Sequence, residues 1–175
     1  MSALALDIPI VETGRLILRG PEARDFEPLA AFFADKARSW GFGGPKTRNE
    51  AWRWFAGNIG HWALHGYGFW TIETKDGQVI GITGIWNPDG WPEPELGWVM
   101  FDGSEGKGYA YEAARAARQH AYEHMGFTTL TSNILPGNTR SVALAEKLGA
   151  RYERDFTNVT HDTEMAYRHP KREGM

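Results

Sequence analysis

At 175 residues, 42% of them apolar, the chain has the length of one ordinary domain and enough apolar side chains to bury a full core. The 19 basic against 22 acidic residues leave a net charge of −3, with no dense basic stripe, which argues against nucleic acid as a partner. The absence of cysteine excludes a disulfide framework, a thiolate metal site and a cysteine nucleophile together.

No apolar run has the length of a membrane span, and the first nine residues lack the basic start and apolar stretch of a secretory signal. A cytoplasmic protein without membrane contact is expected. In chain order, Arg15-Leu16-Ile17-Leu18-Arg19 alternates as a strand does. Asp25 is positioned to cap a helix reaching about residue 37, with Phe26, Leu29, Ala30 and Phe33 on its inner face. Pro28 falls in the first turn, where a missing N–H is harmless. Residues 40–45, Trp-Gly-Phe-Gly-Gly-Pro, read as an aromatic, glycine-rich loop.

Thr47-Arg48-Asn49-Glu50 is a capping box, and the helix it opens runs to about residue 65. Residues 68–74 and 78–86 read as strands joined by a hairpin turn at Lys75-Asp76-Gly77. A loop at 87–94 precedes a strand at 95–101. Ser104-Glu105-Gly106-Lys107-Gly108-Tyr109-Ala110 then leads into a helix ending near residue 125, with Gly126 as its stop. A strand at 129–135, a helix at 139–148 and strands at 152–156 and 163–167 complete the order β-α-α-β-β-β-α-β-α-β-β. That is a mixed α/β chain without regular βαβ alternation, and no linker or repeat divides residues 1–175 into two domains.

Strand, glycine turn, helix is a physical recipe for an anion site. Glycines let a ligand approach the backbone, the first helical N–H groups lack partners, and the helix dipole adds about half a positive charge. Lys107 is followed by Gly108 rather than Ser or Thr, which departs from a P-loop, and Tyr111 stands where a dinucleotide fingerprint needs its third glycine.

The run from Glu105 to Ala110 resembles the acetyl-CoA pyrophosphate loop of the GNAT superfamily of N-acetyltransferases, Gln/Arg-x-x-Gly-x-Gly/Ala. Glu95-Leu96-Gly97-Trp98-Val99-Met100 resembles the central strand before that loop. Asn138-Thr139-Arg140-Ser141 with Glu146-Lys147-Leu148-Gly149-Ala150 resembles the second cofactor motif. Thr13-Gly14-Arg15-Leu16-Ile17-Leu18-Arg19 resembles the opening strand of the RimJ/RimL-like branch. Together these segments span residues 12–168.

The resemblance implies a central, mostly antiparallel twisted sheet of about seven strands, flanked by about four helices and splayed at its central strands. It implies acetyl-CoA as co-substrate, no metal, and a primary amine as acceptor, either a protein or peptide N-terminus or a small molecule. A homodimer is left open. Backbone of Glu105, Gly106, Lys107, Gly108, Tyr109 and Ala110 would hold the pyrophosphate. Val99 and Met100 would pair with the pantetheine arm, Asn138 would hydrogen-bond it, and Ser141 would sit near the thioester sulfur. Glu105 stands in the Gln/Arg place, so its side chain is expected to point away from the phosphates.

Acetyl transfer without a cysteine calls for direct attack of a neutral amine in a ternary complex. A carboxylate is the natural base, and Glu95 heads the central strand; the other reading of Glu95 is that it orients a water or makes a structural bond. A backbone N–H near Val99 would meet the oxyanion. Ala145 holds the place of the tyrosine acid found in many members, which leaves Ser141 either to donate to the sulfur or to position the cofactor. A coenzyme A thiol, with a pKa of about 8.5 like cysteine, leaves without strong acid help. Trp40, Phe42, Trp70 and Trp86 are candidates for an acceptor pocket. His61/His65 and His120/His124 have i,i+4 spacing without an evident third ligand and read as surface histidines. Glu112 reads as a dipole or capping residue. The competing function is a non-catalytic acyl-CoA-binding module.

Overall fold

A computed structural model of the chain describes residues 5–172. Among the described residues eight strands form one sheet in the order β1-β2-β3-β4-β5-β6-β8-β7. They are β1 (Val11–Glu12), β2 (Leu16–Arg19), β3 (Phe69–Thr74), β4 (Val79–Trp86), β5 (Glu95–Met100), β6 (Thr131–Ile134), β7 (Arg151–Thr157) and β8 (Thr163–Arg168). The helices are α1 (Phe26–Ala34), α2 (Lys36–Ser39), α3 (Arg48–His65), α4 (Tyr109–His124) and α5 (Thr139–Lys147). Every neighbouring pair is antiparallel except β5–β6.

Strand alternation sorts the core into two layers. Leu16, Leu18, Trp70, Ile72 and Leu96 meet α4 on one face, where Ala113, Ala114, Ala117 and Ala121 are all fully buried. The alanine stripe brings the helix axis close to the sheet. On the other face Phe69, Ile82, Val99 and Phe101 pack against Leu29, Phe32 and Phe33 of α1 and Ala51 of α3. Each such large side chain contributes about 1.5–3 kcal/mol through removal from water.

The Thr47/Glu50 capping box forms as the sequence predicts, Glu50 Oε2 accepting from the Thr47 N–H at 2.7 Å. Two local expectations are corrected. The predicted helix from Asp25 to about residue 37 is two helices, because Asp35 adopts an extended backbone and caps α2, accepting from the Ala37 N–H at 2.9 Å. Asp25 makes no side-chain cap for α1; it is buried and pairs with Arg19 at 2.8 and 2.9 Å. Burial alone would raise its carboxyl, but Arg19, the Glu22 N–H and the Thr71 hydroxyl outweigh burial and hold it below the ordinary range.

The sheet is continuous up to β5 and then opens. All six residues of β5 pair with β4, whereas β6 meets β5 at a single register position, Glu95↔Thr131. A buried network holds this junction. Arg118 Nη1 donates to Leu148 O at 2.6 Å and faces His169 Nδ1 at 3.0 Å, which leaves the His169 proton on Nε2. That proton is directed at Ser132 Oγ, 2.8 Å away, and the Ser132 hydroxyl donates to Leu96 O at 2.6 Å. Burial and the neighbouring Arg118 and Arg168 charges push His169 down to about 3, so the ring is neutral. No helix among the described residues is long and apolar enough to cross a membrane.

Candidate active site

Beyond Leu96 the gap between β5 and β6 widens into a cleft of about 630 Å³, walled by β5, the start of α4, the start and inner face of α5, and residues 37–42. At its far end the turn before α4 has Gly106 at φ +76° and Gly108 at φ +77°, the left-handed region that favours glycine. A Cβ on Gly106 would meet nothing within 4 Å, so the turn stands open toward the cleft. Glu112 N–H makes the first helical bond, to Gly108 O at 3.1 Å, and no side chain caps α4. The N–H groups of Tyr109, Ala110 and Tyr111 therefore stand outside the helix ladder at its positive end, and they fit a diphosphate.

Of the six residues expected in this turn, Glu105, Gly106, Gly108, Tyr109 and Ala110 line the cleft; Lys107 does not, and its carbonyl accepts from Arg15 Nη1 at 2.9 Å. Lys107 is thus corrected to the outer side of the turn. Glu105 does not turn outward as expected. It lines the cleft and is ion-paired with Arg38, whose guanidinium also donates to Asp102 at 2.6 Å. The Arg38 hydrogen bond holds the Glu105 carboxyl below the ordinary range. A negative side chain beside an anion turn is tolerable because that charge is already met.

Along β5, backbone polarity alternates. Phe101 N–H donates to Ile80 O on the β4 side, and Val99 O lies 2.2 Å from where a Cβ on Gly81 would stand. Leu96 O faces β6. Val99 thus turns its amide to β4, and the amides facing the gap are those of Trp98 and Met100. This corrects the expected backbone role of Val99, which lines the cleft without a free N–H; Met100 lines it with its amide toward the gap.

Asn138 caps α5, its Oδ1 accepting from Ser141 N–H at 3.3 Å, so only its Nδ2 is left to donate into the cleft. Ser141 lines the cleft close by. Trp40 and Phe42 also line it. Trp70 does not: it is fully buried under α4 with its indole N–H donating to Pro9 O at 2.8 Å, and its place as a pocket residue is corrected to core. Trp86 stacks between Trp54 and His61, away from the cleft. His61 is not a surface residue either. It is buried, its Nδ1 facing Tyr67 O at 2.6 Å and its Nε2 accepting from Asn87 N–H at 3.0 Å. Glu112 serves as an anchor, accepting from Thr13 Oγ1 at 2.7 Å and Arg15 Nε at 2.6 Å.

Glu95 sits at the vertex of the gap and is not among the residues lining the cleft itself. Burial, then the charge of Glu164, raise its carboxyl to about 8, against the opposing effects of Trp91 and Asn133. Asn133 N–H donates to Glu95 Oε2 at 3.2 Å. A carboxyl that is half-ionised near pH 8 keeps an ionised fraction at neutral pH and is suited to exchange a proton.

Sequence reasoning missed Arg38, Arg140 and Lys147, three cations on the cleft wall. Arg140, Leu144 and Lys147 repeat at helical spacing along α5, a signal that was there to read. Arg38 had none, since its partner Glu105 is 67 residues away.

The sequence profile described as "Acetyltransferase (GNAT) domain" matches residues 15–151. Protein YkkB of Bacillus subtilis (strain 168) is 30% identical over 146 residues, covering 81% of this chain and 85% of YkkB. The crystal structure of an acetyltransferase from Agrobacterium tumefaciens strain C58 superposes with a TM-score of 0.86 at 35% identity, over 97% of this chain and 98% of that one. RimJ of Mycobacterium smegmatis, in complex with CoA-disulfide, superposes with a TM-score of 0.75 at 18% identity, over 96% and 90% of the two chains, a likeness of fold alone. The chain belongs to the GNAT acetyltransferase family and is an acetyl-CoA-dependent acyltransferase.

Proposed function

We propose that this acyltransferase moves the acetyl group to a primary amine, a protein N-terminus or a small-molecule amine, by direct attack in a ternary complex. The observation that carries the reading is the cleft that opens where β6 leaves β5, with Glu95 at the vertex of that gap and the uncapped start of α4 at the far end of the cleft. Each end has the chemistry its step needs. At α4 the N–H groups of residues 109–111 hold the diphosphate, with Arg38, Arg140 and Lys147 adding positive charge on the wall. Along β5 the Trp98 and Met100 amides face the gap, where one hydrogen-bonds the pantetheine arm and the other meets the charge that develops on the carbonyl oxygen. Asn138 Nδ2 donates to the arm.

Acetyl-CoA supplies a thioester whose thiolate leaves readily, so the chain has little acid work to do. Glu95 takes the proton the amine loses as the N–C bond forms and the C–S bond breaks. Ser141 stands near the departing sulfur and positions it. The opening strand motif supports the RimJ/RimL-like branch, and residues 1–175 are read as a single N-acetyltransferase domain.

Release of free coenzyme A, followed with a thiol reagent across a panel of peptides and small amines, tests the reading. Turnover on at least one amine is expected. Saturable acetyl-CoA binding without turnover on any acceptor would instead make the chain an acyl-CoA-binding module.

A further inference from the structure

The face of the sheet that carries Glu95 is covered by α1 and α3 only as far as β5. On the β6–β8 half its register brings four polar residues together. Glu95 and Thr131 are Cα partners, Asn133 pairs with Ala166, and Glu164 lies two residues before Ala166 on β8. Partners and i,i+2 neighbours project to one side, so Glu95, Thr131, Asn133 and Glu164 share a face.

Two loops roof it. The 87–94 loop carries Trp91 and is tied to α3 where Asn87 N–H meets His61. The tip of the β7–β8 hairpin meets that loop, for a Cβ on Gly90 would stand 2.8 Å from Val159 Cγ1.

Inside this roof lies a concentration of unmet polarity. Four buried side-chain polar atoms lack a hydrogen-bond partner among the described residues: Trp91 Nε1, Thr131 Oγ1 and both amide atoms of Asn133. All four belong to residues on this face or its roof; the Trp91 and Asn133 side chains lie near enough to the Glu95 carboxyl to oppose its rise but outside hydrogen-bond geometry in this conformation. Thr131, the ladder partner of Glu95, is 1% exposed. Folded proteins rarely leave such groups unpaired unless something else satisfies them.

Charge is unmet in the same place. Among the described residues no cation pairs with Glu95 or Glu164. The adjacent Arg168 is spent on Glu93 at 2.6 Å and Glu153 at 2.8 Å. Glu164 has one held oxygen, accepting from Asn158 Nδ2 at 2.7 Å, and Asp162 adds a further negative charge nearby.

We propose that this roofed face is the acceptor subsite, and that Glu164 selects an acceptor carrying a second ammonium group beside its reactive amine. The inference rests on the amine-transfer reading of Glu95. Glu95 faces the reacting nitrogen and Glu164, oriented by the buried Asn158, holds the second cation, with Thr131 Oγ1 and Asn133 Oδ1 free to accept from the N–H groups of the two nitrogens. The Trp91 loop moves to admit the acceptor, because the four atoms are closed to water in this conformation. A protein N-terminus, with one ammonium, leaves Glu164 unmet and is the poorer acceptor.

Calorimetry on the CoA-loaded protein with 1,4-diaminobutane and 1-aminobutane tests this, alongside coenzyme A release from acetyl-CoA with the same amines. The diamine is expected to bind at least about tenfold more tightly than the monoamine, and Glu164→Gln to erase that difference. Glutamine is nearly isosteric and keeps an oxygen for Asn158, so the fold is retained. Equal binding of the two amines by the wild type, or an undiminished preference in Glu164→Gln, overturns the assignment. A diamine preference in calorimetry without any coenzyme A release would uphold the subsite and sink the transfer reading. Turnover that favours a single-ammonium peptide over the diamine would do the reverse.

Discussion

Burial and the nearby Glu164 raise Glu95 from an ordinary value of 4.5 to about 8, and that shift has two separate consequences. As a base Glu95 must be ionised, so kcat/KM should rise with pH and level off above about 8. Glu95→Gln should lower kcat about 10²- to 10⁴-fold and flatten that profile, with acetyl-CoA affinity by calorimetry unchanged. The stability effect has the opposite sign. A carboxyl raised by folding stabilises the protein below its unfolded value and loses that contribution as pH climbs through 8. Thermal melts should therefore find Glu95→Gln more stable than wild type at pH 9 and no more stable at pH 4. Equal melting points at both would mean that Glu95 is not buried as described. Gly108 is the second residue with a sharp expectation. Its φ of +77° costs a β-branched side chain about 1–2 kcal/mol. A Cβ there would meet only Arg15 Nη2 at 3.5 Å, so Gly108→Val should fold. Acetyl-CoA binding should fall at least a hundredfold in titration, and normal binding would remove the turn from the site.

At this scale the sequence exposed what depends on neighbours in the chain. Glycines at 106 and 108 and a carboxylate opening a strand are local facts. The core position of Trp70, the burial of His61 and the Arg38–Glu105 pair are not, since each depends on a residue brought near only by folding.

Among the elements, β5 decides the function because it has one full partner and one partial one. A parallel neighbour that pairs once and then departs leaves the Trp98 and Met100 amides for a ligand. The Ser132–His169–Arg118 network fixes where that departure begins, since the Ser132 hydroxyl holds Leu96 O. Removing the ring in His169→Ala should leave the buried Ser132 and Arg118 underpaired. A destabilisation of about 2–4 kcal/mol is expected in denaturant titration, with a weaker KM for acetyl-CoA as the junction loosens. A stability loss with no change in KM would confine the network to a structural role. Periodicity and capping signals located every longer element, and α3 starts where Thr47 and Glu50 indicate. The four-residue α2 and the two-residue β1 escaped, because nothing periodic fits in so few residues.

For the molecule as a whole, a ligand seated between β5 and β6 would bridge two halves of a sheet that touch only at the vertex. Binding to the folded state alone raises stability by about 2.7 kcal/mol at a hundredfold excess over Kd. For a chain of this length that is roughly 5–10 °C in a thermal scan with acetyl-CoA. Gly108→Val should show none of this shift.

By itself the sequence determined the order of the main elements, the mixed α/β class and the anion turn, and its motifs resembled an acetyl-CoA family to which the chain belongs. These are properties of short windows, where spacing, caps and glycines act within a few residues of one another. Folding alone decided which amides of β5 face the gap, that Glu105 is neutralised by Arg38, and that Glu95 shares one face of the sheet with Glu164, Thr131 and Asn133. Those relations join residues tens of positions apart, and their energies come from burial and proximity, which exist only once the sheet has assembled.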